Sequence, residues 1–426
     1  MKRYLFWIPT LLTTLALLGG CGALLISGPM LAAGVARAGQ ATPTPAPAAP
    51  ATSSAPGNPL LALETMLHDI ATHVSPSVVN IQVTQKPQAT SQTLPDLPDL
   101  PNLPNMPHFH FSIPPQQEPQ SLPSQALGSG FVWDTQGHIV TNNHVVQGAD
   151  RITVTFADGT TEDATLVGTD PDSDLAVVQV NHLPNDLQPI QVADSNQVQV
   201  GDLAVAIGNP FGLEGTLTVG FISALGRSLP VESSQLQGGT YTIPDIIQTD
   251  ASINPGNSGG VLVNDAGQLI GVPTAIQSPV RASAGIGLAV PSAMVQRVVP
   301  ALIEHGSYAH SWLGISGTTM TPDLAKAMQL DADQRGALVL DVTDGGPADQ
   351  AGVHGSDREI TMDGQPSHVG GDVLVAIDNQ PINEFDDLVT YLARSTQVGQ
   401  TVTLTVLRDG KPQTIDATLA ARPTAR

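Results

Sequence analysis

A single cysteine, Cys21, occurs in 426 residues, so neither an intrachain disulfide framework nor a thiolate-built zinc site can form. Basic residues are scarce as well. Sixteen Lys and Arg stand against 38 Asp and Glu, a formal net charge of −22. That field repels phosphate backbones, which argues against a nucleic-acid partner. No Gly-rich phosphate loop with its lysine is present, which argues against work powered by nucleotide hydrolysis. Aromatics make up only 4% while Gly and Pro number 41 and 36, a balance that favours strands and turns over helix bundles. The hydrophobic fraction, 41%, suffices for ordinary cores and excludes wholesale disorder. At about 150 residues per domain, the length suggests two to three units.

The amino end carries a long uncharged and largely apolar run. Lys2 and Arg3 are followed by Tyr4 to Ala36, rich in Leu, Ala and Gly. A membrane core needs roughly 20 such residues, and the basic pair ahead would remain cytoplasmic. Residues 1–38 are therefore a signal or membrane-anchor segment. Three fates stay open: a retained anchor, cleavage after Ala36-Arg37-Ala38, or lipidation of Cys21 in Leu18-Gly19-Gly20-Cys21. All three place the body of the chain outside the cytoplasm. Residues 39–60, rich in Ala, Pro, Thr and Ser, read as an extended linker. A second biased stretch, 85–126, has proline at every third position in part of its length and reads as a long exposed loop. His108 and His110 within it read as solvated loop residues.

From 127 to about 300, short apolar or alternating runs are separated by Gly, Asp, Asn and Pro, as in Ile152–Phe156, Leu175–Val180 and Ala204–Ile207. This spacing suggests antiparallel barrels or a sandwich. Ser292 to Glu304 reads as a helix with Ser292 as its N-cap. A second unit, 308–421, mixes strand-like runs with a helical segment, Phe385 to Ala393.

Serine-based hydrolysis needs a nucleophile, a base, a group that orients the base, and donors for the developing oxyanion. Gly256-Asn257-Ser258-Gly259-Gly260 presents a serine on a tight turn, where the amides of Gly256 and Ser258 would converge on one oxygen. His144, expected at a strand end, is the candidate base. Asp174, ahead of an apolar strand, is the candidate orienting carboxylate, with Asp170 and Asp172 read as turn residues. The order His, Asp, Ser matches one known convergent solution.

At this point the sequence resembles the HtrA (DegP-type) branch of the chymotrypsin-like serine proteases. The matching strings are TNNHVV around His144, DSDLAVV around Asp174, IGNPFGL at 207–213, SALGRSL at 223–229, IQTDASINPGNSGG at 247–260 and GIGLAVPSAMV at 285–295. The resemblance implies a mostly β architecture: two six-stranded barrels over 61–305 with the triad in their cleft. It also implies roles: His144 as base, Asp174 as its orienter, Ser258 as nucleophile, and Gly256, Asn257 and Ser258 as the oxyanion segment. Gly285, Ile286, Gly287 and Leu288 match the segment that pairs with substrate and lines a pocket for small aliphatic residues. The chain departs from the family pattern in having Val261-Leu262 after GNSGG, where Pro-Leu is usual, and Val219 in Thr218-Val219-Gly220, where Ser is common.

Residues 308–421 resemble a PDZ domain. Trp312, Leu313, Gly314 and Ile315 match its carboxylate-binding loop, which holds the carboxy terminus of a peptide added as a strand. Residues 354–370 form an extra segment, read as a hairpin turning at Asp363-Gly364. His354 and His368 in it read as exposed polar residues. Asp331-Ala332-Asp333 is no calcium loop, because Arg335 and Val342 occupy ligand positions. Neither cofactor nor metal is expected. The resemblance implies an ATP-independent endopeptidase for unfolded or misfolded proteins in the periplasm or cell envelope of a bacterium, attached to the membrane and assembled as a homotrimer or larger. Two other readings remain: a membrane-anchored sensor protease cutting one signalling partner, and a non-catalytic peptide-binding scaffold. A histidine base further implies cleavage that rises with pH across the ordinary imidazole range, since only neutral imidazole accepts the serine proton.

Overall fold

The computed structural model describes residues 58–86, 124–185, 187–210, 215–232, 240–254, 256–274, 285–362 and 364–423. The 1–38 segment with Cys21, residues 39–57 of the linker, the body of the 85–126 loop and residues 211–213 of IGNPFGL lie outside them. Among the described residues, no helix is long and apolar enough to cross a membrane.

The first helix, α1 (Pro59–Val74), begins inside the span read as linker. Asn58 caps it by accepting the Leu60 amide at 3.1 Å, Pro59 opens it, and Ile70 and Val74 bury one face. Six strands then close a barrel: β1 (Val78–Gln85), β2 (Ser124–Val132), β3 (His138–Thr141), β4 (Arg151–Thr155), β5 (Thr161–Asp170) and β6 (Leu175–Val180). A second barrel follows from β7 (Leu203–Gly208), β8 (Thr216–Glu232), β9 (Thr240–Thr249), β10 (Val261–Val263), β11 (Leu269–Pro273) and β12 (Gly287–Pro291).

Side chains alternate across a strand, and that period divides the apolar residues between two kinds of core. Ile139 and Val178 point into the first barrel with Ile81 and Val154, and Leu262 points into the second with Ile222 and Ile247. Their neighbours Val140, Val177, Val261 and Val263 point the other way, into one cluster shared by both barrels. These strands are buried on both faces, so apolar residues stand side by side along them instead of alternating with polar ones. The cleft therefore forms where two rigid surfaces meet.

A four-residue helix, α2 (Asn143–Val146), follows β3, and α3 (Ser292–His305) closes the second barrel. Pro291 stands at the N-cap of α3, and Ser292 is its first residue, not the cap expected from sequence. The Ser292 hydroxyl instead donates to Ala193 O at 2.6 Å and accepts the Ser195 amide at 3.2 Å, tying the helix to the preceding loop.

The carboxy-terminal part starts with β13 (Ser311–Trp312), β14 (Ile315–Thr319), α4 (Pro322–Ala327), β15 (Ala337–Val342) and α5 (Pro347–Ala351). It continues with β16 (Arg358–Met362), β17 (Gln365–Val369), β18 (Val373–Ile377), β19 (Gln380–Pro381) and α6 (Phe385–Ser395). The last strands are β20 (Thr401–Arg408), β21 (Lys411–Thr418) and β22 (Ala420–Ala421). The main sheet runs β14-β15-β18-β20-β21 with β19 on β18, while β13 pairs with β22. Strands β16 and β17 form the separate hairpin expected within 354–370.

Polar contacts join this part to the barrels. Arg394 of α6 engages the buried Asp245 of β9, and Arg297 of α3 donates to the carbonyls of Ala393 and Arg394. His310 Nε2 lies 2.7 Å from Asp170 Oδ2, and Arg422 donates to Asp172 Oδ2 at 3.2 Å. Asp170, read from sequence as a turn residue, is thus buried at the end of β5, where Ser173 Oγ also donates to it at 2.5 Å. Asp170, Asp172 and His310 place ligand-type atoms within 4.8 Å of one another, but Ser173 and Arg422 already occupy the carboxylates.

Burial pushes the Asp245 carboxyl above the ordinary carboxylate range, against the opposing pull of Arg394. A carboxyl that holds its proton more tightly folded than unfolded stabilises the fold less as pH rises through the folded-state value. The wild-type minus Asp245→Asn difference in melting temperature is therefore expected to fall as pH rises above the ordinary aspartate value. Calorimetry at several pH values checks the sign, and a difference that grows would contradict it.

Candidate active site

Asp174 sits in the turn between β5 and β6 with φ of 53°, in the left-handed region that aspartate tolerates better than most side chains. Its backbone carbonyl accepts Asn142 Nδ2 at 2.8 Å and the Asn143 amide at 3.1 Å. Those bonds draw the end of β3 toward the turn and start the single helical turn α2. His144 lies in α2 and not at the strand end that the sequence suggested. Its amide donates to Asp174 Oδ1 at 3.0 Å, and its ring Nδ1 lies 2.8 Å from Oδ2 and 3.0 Å from Oδ1. The imidazole side chain is 40% exposed, whereas the carboxylate is 11% exposed. An ionised carboxylate only accepts, so Nδ1 carries the hydrogen and Nε2 is left with a lone pair.

Thr274, which the sequence reading missed, donates its hydroxyl to Asp174 Oδ2 at 2.6 Å. It holds the carboxylate from the second barrel, and no local pattern marks it, because it stands a hundred residues away. Its own amide donates to Leu288 O at 2.9 Å.

The Gly256–Gly260 turn packs against the same corner. Gly259 donates to Pro273 O at 3.0 Å, next to Thr274. A Cβ on Gly259 would lie 2.4 Å from Thr141 Oγ1 and 3.0 Å from the Asn142 amide, so only glycine allows this approach to the His144 segment. Ser258 is 4% exposed and Asn257 1%. Asn257 N donates to Asn254 O at 2.9 Å and its carbonyl accepts Gly260 N at 3.1 Å, closing a tight turn. Gly256 has φ of 100°, and a Cβ there would stand 2.3 Å from Pro210 Cβ. Gly256→Ala is expected to lower turnover on the order of 100-fold with the barrels still folded, because both sterics and dihedral displace the neighbouring amides. Steady-state kinetics on the purified variant checks this, and unchanged turnover would refute it.

Gly285 and Ile286 are exposed, Ile286 at 62%, and lead into β12, which pairs antiparallel with β9 through Gly287 and Thr249. The missing side chain of Gly287 makes room for Ile253, 2.6 Å from where its Cβ would stand. Leu288 is half-buried.

In the second unit Leu313 is buried and Gly314 has φ of 82°, with the Trp312 ring packed over it. The Leu313 and Gly314 carbonyls accept from Ala348 N at 2.9 Å and Thr343 N at 2.8 Å, which turns them into the domain. A cavity of about 530 Å³ runs from this loop between β14 and α6, its walls including Leu313, Ile315, Phe385, Leu388 and Leu392.

Two barrels with a serine, an imidazole and a buried carboxylate gathered at their junction, followed by a separate peptide-groove sheet, define a chymotrypsin-like protease fold with a PDZ domain. Residues 128–272 match the family model of the trypsin-like peptidase domain, and 312–419 match that of the PDZ domain. The periplasmic serine endoprotease DegP of Escherichia coli K12 is 38% identical over 391 residues, covering 89% of this chain and 76% of DegP. The periplasmic pH-dependent serine endoprotease DegQ of the same organism is 43% identical over 298 residues, covering 70% of this chain. That match spans 60% of the length of DegQ. Among solved structures, the HtrA-type protease AlgW with a decapeptide superposes with a TM-score of 0.61 at 35% identity, covering 84% of this chain and 98% of AlgW. The chain belongs to the HtrA family of serine endoproteases.

Proposed function

We propose that this protein is an ATP-independent, extracytoplasmic serine endopeptidase that hydrolyses peptide bonds of unfolded or misfolded proteins. The single observation that carries the reading is the fixed imidazole: Asp174 holds His144 Nδ1 from one side while Thr274 holds Asp174 from the other barrel. Ser258 Oγ attacks the scissile carbonyl and passes its proton to His144 Nε2, and the Gly256 and Ser258 amides receive the negative charge, with Asn257 spacing them. His144 then returns the proton to the leaving amine, and water releases the acyl group by the same route in reverse. The substrate would lie antiparallel beside Gly285–Leu288, with a small aliphatic side chain against the wall that Gly287 opens to Ile253.

Trp312, Leu313, Gly314 and Ile315 would hold the carboxy terminus of a peptide added along β14. The apolar walls of the groove fit a hydrophobic last residue. Attachment to the membrane through residues 1–38 and assembly as a homotrimer or larger belong to the same proposal, as does residence in the periplasm, where DegP and DegQ are named. Cleavage of β-casein by the wild type and by Ser258→Ala, each with and without a hydrophobic carboxy-terminal peptide, tests it. Cleavage lost in the variant and raised by the peptide supports a PDZ-regulated endopeptidase, and cleavage that persists in the variant overturns it.

A further inference from the structure

Ser129 is fully buried in β2 of the first barrel and has no part in the mechanism above. Its bonds nevertheless reach the oxyanion turn of the second barrel. Its amide donates to Ser258 O at 2.8 Å, and its hydroxyl donates to Gly256 O at 2.5 Å. The same hydroxyl accepts the Asn209 amide at 2.8 Å, and the Ser129 carbonyl accepts Thr141 Oγ1 at 2.7 Å. Asn209 is itself anchored, because Asn80 Nδ2 donates to its carbonyl at 2.8 Å.

A hydroxyl has one hydrogen. Asn209 N–H can only donate and Gly256 O can only accept, so that hydrogen is committed to Gly256 O. The glycine at 256 leaves its backbone easy to rotate, since nothing in its own side chain resists a change of dihedral. The bond from Ser129 supplies the resistance. Rotating the 256–257 peptide would abandon a buried acceptor and, with it, a buried hydroxyl. Ser129 also fixes the carbonyl of Ser258, so a single residue grips both ends of the three-residue segment that carries the oxyanion amides.

We propose that Ser129 is a positioning residue for the oxyanion segment, holding the Gly256 and Ser258 amides in transition-state register from the opposite barrel. The inference rests on the assignment of those amides to the oxyanion in the preceding section. The glycines on either side have no room for a Cβ, Gly128 against Val145 and Gly130 against Ile81 of the first barrel's own core, so β2 is held close on that side while Ser129 faces the oxyanion turn. A positioning role predicts loss in turnover and not in substrate binding, because the misplaced amides matter when charge develops on the oxygen.

The test uses the full chain with Ser129→Ala and Ser129→Cys, the latter keeping a weak donor of similar shape should the alanine variant misfold. Turnover of a peptide substrate is expected to fall on the order of 10- to 100-fold in Ser129→Ala with KM nearly unchanged, and by less in Ser129→Cys. Affinity for a peptide boronate, whose tetrahedral adduct places an oxygen among the same amides, should fall in step with turnover, while affinity for the cleaved product peptide stays constant. A folded variant with wild-type turnover, or losses shared equally by KM and product affinity, overturns the proposal. An inert wild type, or cleavage surviving Ser258→Ala, would instead overturn the underlying assignment and take this inference with it.

Discussion

Ser258→Ala is expected to reduce turnover by about six orders of magnitude, the scale on which removing a triad nucleophile acts. The alanine keeps the backbone bonds of the turn, since Ser129 N still reaches the carbonyl at 258 and Gly259 still reaches Pro273 O. Folding and substrate affinity should therefore survive, and the loss should appear in turnover alone. What remains is the part of the rate supplied by the oxyanion amides and by substrate orientation, roughly 10³- to 10⁴-fold over water. Single-turnover cleavage of a casein-derived peptide, with a fluorophosphonate label to count reactive serines, separates these terms. Label uptake by the variant at the wild-type rate would show that another serine is the nucleophile.

Asp174→Asn is expected to cost about 10⁴-fold in turnover, because the amide favours the wrong imidazole tautomer. Asparagine suits this test better than alanine for a structural reason. Residue 174 has φ of 53°, and asparagine shares with aspartate the ability to occupy that region. The backbone carbonyl at 174 would continue to hold Asn142 and Asn143, so α2 stays in place. Thr274 and His144 both donate to the Asp174 carboxylate, whereas an amide offers one acceptor oxygen and one donor nitrogen. One of the two partners loses its acceptor. If the imidazole turns to accept from the amide, Nε2 carries the hydrogen and cannot take the serine proton. Turnover within tenfold of wild type would remove Asp174 from the mechanism.

The glycine turn at 256–260 and several single strands were legible in the linear chain because their causes are local. A glycine-rich turn has to contain glycine where φ is positive, as at 256 and 259, and where a neighbouring backbone comes close. Alternation at period two marked β4, and apolar runs marked β6 and β7, most of whose residues are buried whichever face they take. The helix α1 was less visible. Met66, Leu67, Ile70 and Val74 pack on one face at helical spacing, but the exposed Leu60, Leu61 and Leu63 precede them directly after the Pro/Ala-rich run, which blurs where the helix starts. Asp170 was misjudged because its partner His310 arrives from the other unit, 140 residues downstream.

The sequence alone determined the chemical inventory: one serine in a glycine turn, a histidine and a carboxylate in the order a known mechanism uses, and the acidic, cysteine-poor composition that excludes other classes. The tertiary structure decided what that inventory faces. Thr274 meets Asp174 across 100 residues, Ser129 meets Gly256 across 127, and Arg394 meets Asp245 across 149. Such pairings follow from how the two barrels and the PDZ sheet dock. The barrels dock through the summed burial of many apolar side chains in their shared cluster, and the PDZ part through polar contacts gathered from distant segments, neither of which a short pattern encodes.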